Sequence, residues 1–131
     1  MKFLLDANAV IALLKGNEMF LARLRHHNPQ DFGIPSIVAH ELFYGAFRSQ
    51  RVSTNLSRLD HLHFEIVDFS REDARCAGDI RARLAAAGTP IGAYGVLIAG
   101  QALARKLVLI THNGREFGRI PDLRIEDWQI A

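Results

Sequence analysis

An α/β fold built on a mainly parallel sheet is predicted by three features of this sequence. Short, nearly uniform apolar runs, above all Phe3-Leu4-Leu5 and Leu107-Val108-Leu109-Ile110-Thr111, read as strands buried on both faces. Segments of helical spacing separate these runs, which is the alternation that parallel strands need for their crossovers. At 131 residues, with 49% hydrophobic and 23% charged residues, the chain has the length and balance for one core and one domain over 1–131.

The elements follow in order. The first strand ends at Asp6, and Val10, Ile11, Leu13 and Leu14 then recur at helical spacing from Asn8 to Lys15, with Gly16 as the stop. A second amphipathic helix is expected from Glu18 to His27, with Phe20, Leu21 and Leu24 on one side. Phe32 to Pro35 reads as a strand, and Ser36 is placed to cap a helix running to about Gln50. Residues 53–62 are expected to be helical and Phe64 to Phe69 a strand. Ser70 and Asp73 resemble a capping pair for a long helix to about Ala87. Thr89-Pro90-Ile91-Gly92 makes a turn ahead of a helix over about Ala93 to Lys106. After the strand Leu107 to Thr111, Asn113-Gly114 reads as a turn, followed by a short helical piece and a last strand near Leu123 to Trp128.

Composition narrows the function classes. No apolar run approaches the roughly 20 residues of a membrane span. Asp6 interrupts the opening apolar stretch too early for a signal peptide. Cys76 is the only cysteine, so no intrachain disulfide forms, and a cytoplasmic location is expected. A net charge of +2 permits an anionic partner without requiring one. Arg48, Arg51, Arg81, Arg83, Arg105 and Lys106 are available for phosphate contacts, although solvated surface arginines are the plainer reading. His61-Leu62-His63 with Cys76 matches no zinc spacing.

Three oxygen-bearing side chains stand out. Asp6 closes a strand, where open α/β sheets gather functional groups, and the competing reading is a helix cap. Glu41 has Ile37, Val38, Tyr44 and Gly45 as helical neighbours, so no cation along its own helix meets it. It needs a positive partner from elsewhere in the fold, either a metal ion or an arginine such as Arg81 or Arg105. Asn113 follows the strongest strand and offers a neutral carbonyl oxygen to a hard cation; Glu116 lies one turn onward, facing the same cleft or solvent. Phe43, Tyr44 and Phe47 form an aromatic stripe at helical spacing, suited to core packing or, where exposed, to a partner helix.

Four motifs in unbroken order carry a resemblance. They are Phe3-Leu4-Leu5-Asp6-Ala7-Asn8; Ala39-His40-Glu41-Leu42-Phe43-Tyr44-Gly45; Thr89 to Ala99; and Ile110-Thr111-His112-Asn113-Gly114-Arg115-Glu116-Phe117. Together with Leu123 to Trp128 they are similar to the VapC family of PIN-domain toxins. The resemblance implies a three-layer α/β/α sandwich and the toxin component of a type II toxin–antitoxin system. It further implies an endoribonuclease dependent on Mg²⁺ or Mn²⁺, with tRNA or rRNA as substrate, a homodimer, and a cognate VapB-type antitoxin that meets Phe43, Tyr44 and Phe47. Asp6 and Glu41 match the family's first two acidic residues, and Asn113 falls where it has an acid or asparagine.

One departure bears on activity. Position 95, where the family has its third acid, is Gly95, between Tyr94 and Val96. Losing a carboxylate lowers the affinity of the site for a hard cation, so a weakened or inactive nuclease is expected, with Glu116 as a possible partial substitute. A PIN-fold protein that keeps its antitoxin and dimer contacts without chemistry is the alternative. A phosphotransfer enzyme with Asp6 as nucleophile is a remote one, because Asn8 and His112 stand where a second acid and a lysine are needed.

Overall fold

The computed structural model describes residues 1–130; Ala131, the last residue of the domain expected over 1–131, lies outside the described residues. Five strands make one sheet: β1 (Phe3–Leu5), β2 (Phe32–Pro35), β3 (Glu65–Val67), β4 (Val108–Ile110) and β5 (Ile125–Glu126). Their order is β3-β2-β1-β4-β5 and every pairing is parallel. The central strands β1, β2 and β4 are buried throughout, as their continuous apolar runs require. Edge strand β3 exposes Glu65 and Ile66.

Among the described residues, seven helices cover the sheet in a three-layer α/β/α arrangement: α1 (Ala7–Leu14), α2 (Glu18–Leu24), α3 (Ser36–Phe47), α4 (Val52–Asp60), α5 (Arg71–Ala86), α6 (Ala93–Ala104) and α7 (Gly114–Phe117). The chain steps outward from β1 to β3 and then returns across β1 to β4. Right-handed crossovers in these two opposite directions put α1 to α4 on one face and α5 and α6 on the other. Helices α5 and α6 approach closely at Gly100, where a Cβ would lie 2.5 Å from that of Ala77. Trp128 is buried among Phe3, Phe20, Phe32 and His27, which ties the end of the chain to its first strand.

Several boundaries differ from expectation. Helix α1 begins at Ala7, one residue before Asn8, with Asp6 as its cap, and Gly16 ends that segment with φ +73°, as a stop signal should. Helix α2 ends at Leu24, and His27 beyond it stacks on Trp128 instead of continuing the turn. Ser36 is the first residue of α3 and not its cap: Pro35 holds the extended N-cap position, without a side-chain bond. The same helix stops at Phe47, where the Ser49 hydroxyl donates to the Ala46 carbonyl at 2.6 Å. Strand β3 spans only Glu65–Val67, because the Asp68 carbonyl is taken by the side chains of Gln101 and Arg105. Asn113-Gly114 is a helix start and not a free turn, with Asn113 as N-cap of α7. The 3₁₀ turn Pro29–Asp31 has no counterpart in the expected elements.

Candidate active site

Strand order reverses between β1 and β4, and open α/β sheets bind ligands in the crevice beyond the carboxyl ends at such a reversal. The last register pair there is Leu5 with Ile110, so the next residues outward are Asp6 and Thr111. Both are buried and polar, with Asp6 only 6% exposed. The Asp6 Oδ1 accepts from the Ala9 N–H at 2.8 Å, which fixes the carboxyl and caps α1 in one contact. The two readings of Asp6, cap and site residue, are therefore compatible.

Burial pushes the Asp6 carboxyl pKa up. The Thr111 hydroxyl and the Ala9 N–H favour its charged form and offset part of that, Asp127 adds repulsion, and His112 relieves some of it. Glu41, half-buried on α3, is raised by its own desolvation and then by the negative charge of Asp6, with His40 acting the other way. Each of the two carboxyls thus sits in surroundings that disfavour its charge, and the second feels the first. Neither Asp6 nor Glu41 takes part in an ion pair among the described residues. Arg105, offered above as a partner for Glu41, is bound to Asp73 at 3.0 Å.

Asn113 joins this region through Thr111, whose hydroxyl oxygen accepts from the Asn113 N–H at 2.9 Å. The Asn113 side chain is engaged with Glu116: its amide donates to Oε2 at 2.6 Å and its carbonyl accepts from the Glu116 N–H at 3.4 Å. Glu116 is thus held by Asn113 and adds no direct contact to Asp6. Gly95 is the third residue of α6. A Cβ there would meet Ile91 at 3.6 Å and the Phe117 ring at 3.7 Å, ordinary contacts that leave room for a side chain.

One residue of this region, Asp127, carried no clear signal in the sequence. The Asp127 Oδ1 accepts from the Gln129 N–H at 2.9 Å, its Oδ2 lies 2.8 Å from His112 Nδ1, and both groups act on the Asp6 carboxyl. Thr111 ends the strongest strand, which by itself puts its polar group at the same sheet edge as Asp6; its bridge between Asp6 and Asn113 follows from the β1–β4 register. On α3, Phe43, Tyr44 and Phe47 are all exposed, Phe47 at 64%, so they form a surface stripe and not core.

The PIN domain family model matches residues 3–123. The chain belongs to the PIN domain family. Within it, the VapC ribonucleases are close relatives: this PIN domain is 41% identical to the tRNA(fMet)-specific endonuclease VapC of Salmonella typhimurium, over 98% of both chains. It is 36% identical to the protein of the same name from Shigella flexneri, again over 98% of each. Among solved structures, the DNA-bound VapBC of Salmonella typhimurium superposes with a TM-score of 0.92 at 42% identity, covering 98% of both chains.

The donor set of this PIN domain suits a hard divalent cation in one respect and falls short in another. Two carboxylates without a cationic partner among the described residues, one of them hydrogen-bonded to the Thr111 hydroxyl, match what Mg²⁺ takes from proteins, commonly one or two carboxylates with the rest completed by water and substrate. Among the described residues, however, no three His, Cys, Asp or Glu side chains gather closely enough to hold a metal by themselves. The residues fit a two-carboxylate site, and a Cβ at position 95 would meet only ordinary contacts.

Proposed function

We propose that this chain is a single-domain VapC toxin, an endoribonuclease that cleaves a phosphodiester bond of transfer RNA and acts in the cytoplasm. The observation that carries the reading is the Asp6–Glu41 pair: two carboxyls whose charge the fold disfavours, the first at the strand-order reversal, with no ion pair among the described residues to explain them. Full-length identity to endonucleases named for tRNA(fMet) supports the substrate class over ribosomal RNA.

Asp6, Glu41 and Asn113 would hold Mg²⁺ or Mn²⁺. Such an ion, when bound, neutralises phosphate charge and makes water a better nucleophile. The chain's own contribution is placement. The Ala9 N–H and the Thr111 hydroxyl orient Asp6, and the Thr111–Asn113 contact sets the α7 start beside it. Glu41 brings its carboxylate from α3 across the crevice. The buried floor of β1 and β4 excludes bulk water from beneath the pair.

The partner surfaces belong to the same reading. The exposed Phe43, Tyr44 and Phe47 stripe is proposed as the face that meets a VapB-type antitoxin, since the solved neighbours are VapBC complexes. A homodimer is proposed with it.

Gly95 favours a second reading, in which the fold and the antitoxin contacts persist without cleavage. Transfer RNA incubated with the purified chain and Mg²⁺ or Mn²⁺ separates the two. Slow cleavage is expected from the unaltered chain, none from Glu41→Gln, and at least a ~10-fold faster rate from Gly95→Asp, equivalent to about 1.4 kcal/mol of barrier. If neither the unaltered chain nor Gly95→Asp cuts, the nuclease reading is wrong and the binding-only one stands.

A further inference from the structure

We infer that Tyr94, His40 and Tyr44 form a stacking platform for an unpaired base of single-stranded RNA at the rim of the Asp6–Glu41 pair, an inference that rests on the nuclease reading. Tyr94 and Tyr44 are large aromatic side chains left 48% and 60% exposed, so core packing accounts for neither. Tyr94 stands in the first turn of α6 and meets the His40 ring of α3 edge-on, with centroids 5.9 Å apart and planes at 81°. His40 and Tyr44 of α3 and Arg48, its C-cap in helical conformation, follow one another at intervals of four, which puts them on one ridge, and all three are exposed. The Arg48 guanidinium lies 5.2 Å from the Tyr44 ring centroid.

A hollow of about 450 Å³ opens between the two helices, lined by His40, Glu41, Tyr44 and Tyr94. Three of these four side chains are rings, and the fourth is a carboxylate of the site. The ligand that fits must offer a flat face to the rings and a group with business at the carboxylates. A nucleotide does both: its base stacks on aromatic faces whatever its identity, and its phosphate reaches the site. Arg48 at the end of the ridge supplies positive charge for the next phosphate along the strand. Paired bases cannot reach a ring, so the hollow selects single-stranded segments such as loops.

The test uses the full chain and a short oligoribonucleotide carrying one 2-aminopurine, in a chelating buffer at fixed salt so that cleavage does not enter. Binding should quench the fluorescent base. Tyr94→Phe should keep the quench, whereas Tyr94→Ala and His40→Ala should lose it and raise Kd roughly 5- to 100-fold, with circular dichroism unchanged. Unaltered quench and affinity in Tyr94→Ala, or no binding by the unaltered chain, would overturn the inference. Weaker antitoxin capture by Tyr94→Ala with intact RNA binding would also overturn it, by assigning the hollow to a protein partner. Cleavage is scored separately with divalent cation. Stacking without cleavage, even by Gly95→Asp, sinks the nuclease reading alone, and cleavage without stacking sinks the platform alone.

Discussion

Glu41 is held where its charge is unwelcome, and that has a measurable consequence for stability. Its pKa is raised by burial and by Asp6. A carboxyl raised above its unfolded value of about 4.3 favours the native state below that pH, and the advantage is lost as pH rises through the raised native value. As pH rises, ionisation of Glu41 therefore works against folding. Glu41→Gln should raise Tm at pH 7 by a few degrees while abolishing cleavage, and the gain should vanish near pH 4. Asp6→Asn should behave alike, because asparagine accepts from the Ala9 N–H as well as aspartate does and preserves the cap of α1. A lower Tm for both variants in thermal melts at pH 7 would show that the pair is structural, and would remove the basis of the site.

At the level of elements, the decisive polar contact is a clamp between α5, α6 and the end of β3. Asp73 is 1% exposed; it receives both the Arg105 Nε at 3.2 Å and Nη2 at 3.0 Å, and it also accepts from the Ser70 N–H at 2.9 Å. Burial would raise its pKa, but the Arg105 and Ser70 hydrogen bonds outweigh it and hold the carboxyl below its ordinary value. The stability it contributes is therefore present above about pH 3.9 and lost as pH falls through the lowered native value. Arg105→Met should cost on the order of 2–3 kcal/mol at pH 7, less than a fully buried pair because Arg105 is 36% exposed, and should flatten the acid limb of a Tm-against-pH curve. An acid limb of unchanged steepness would assign the acid sensitivity elsewhere. The Ser70–Asp73 half of this clamp was legible in the sequence because its residues are three apart; the Arg105 half was not, because it spans α5 and α6. The same division runs through the site. Asp6 and Glu41 could be picked out from their immediate neighbours, a strand end and a helix turn without cations. The Thr111 bridge and the His112–Asp127 contact depend on which strands pair, and no local pattern reports that. Helix ends slipped where a backbone or tertiary detail intervened, as at Lys106, whose left-handed φ of +57° closes the α6 segment two residues past Ala104.

Across the whole molecule, folding and cation binding would be linked through the two carboxyls proposed as ligands. A cation bound only by the native chain stabilises it by RT ln(1 + [L]/Kd), about 1.4 kcal/mol at ten times Kd, or a few degrees of Tm for a domain of this size. Protons compete for Asp6 and Glu41, and because both pKa values are raised, that competition extends to higher pH than for ordinary carboxylates. The Tm gain from Mg²⁺ or Mn²⁺ should therefore be smaller in acid than an ordinary carboxylate pair would give, and should grow as pH rises through the raised native values. Glu41→Gln should remove the gain at every pH. Gly95→Asp should do the opposite at saturating pH: with no metal it should melt lower, since a third carboxylate joins two whose charge is already disfavoured, and with metal it should recover more than the unaltered chain does. The comparison needs no catalysis, so it reads the site even in a chain that cuts slowly. A Gly95→Asp chain that melts at the same temperature with and without divalent cation would mean that position 95 does not face the pair, and that the third ligand must be sought elsewhere in the crevice.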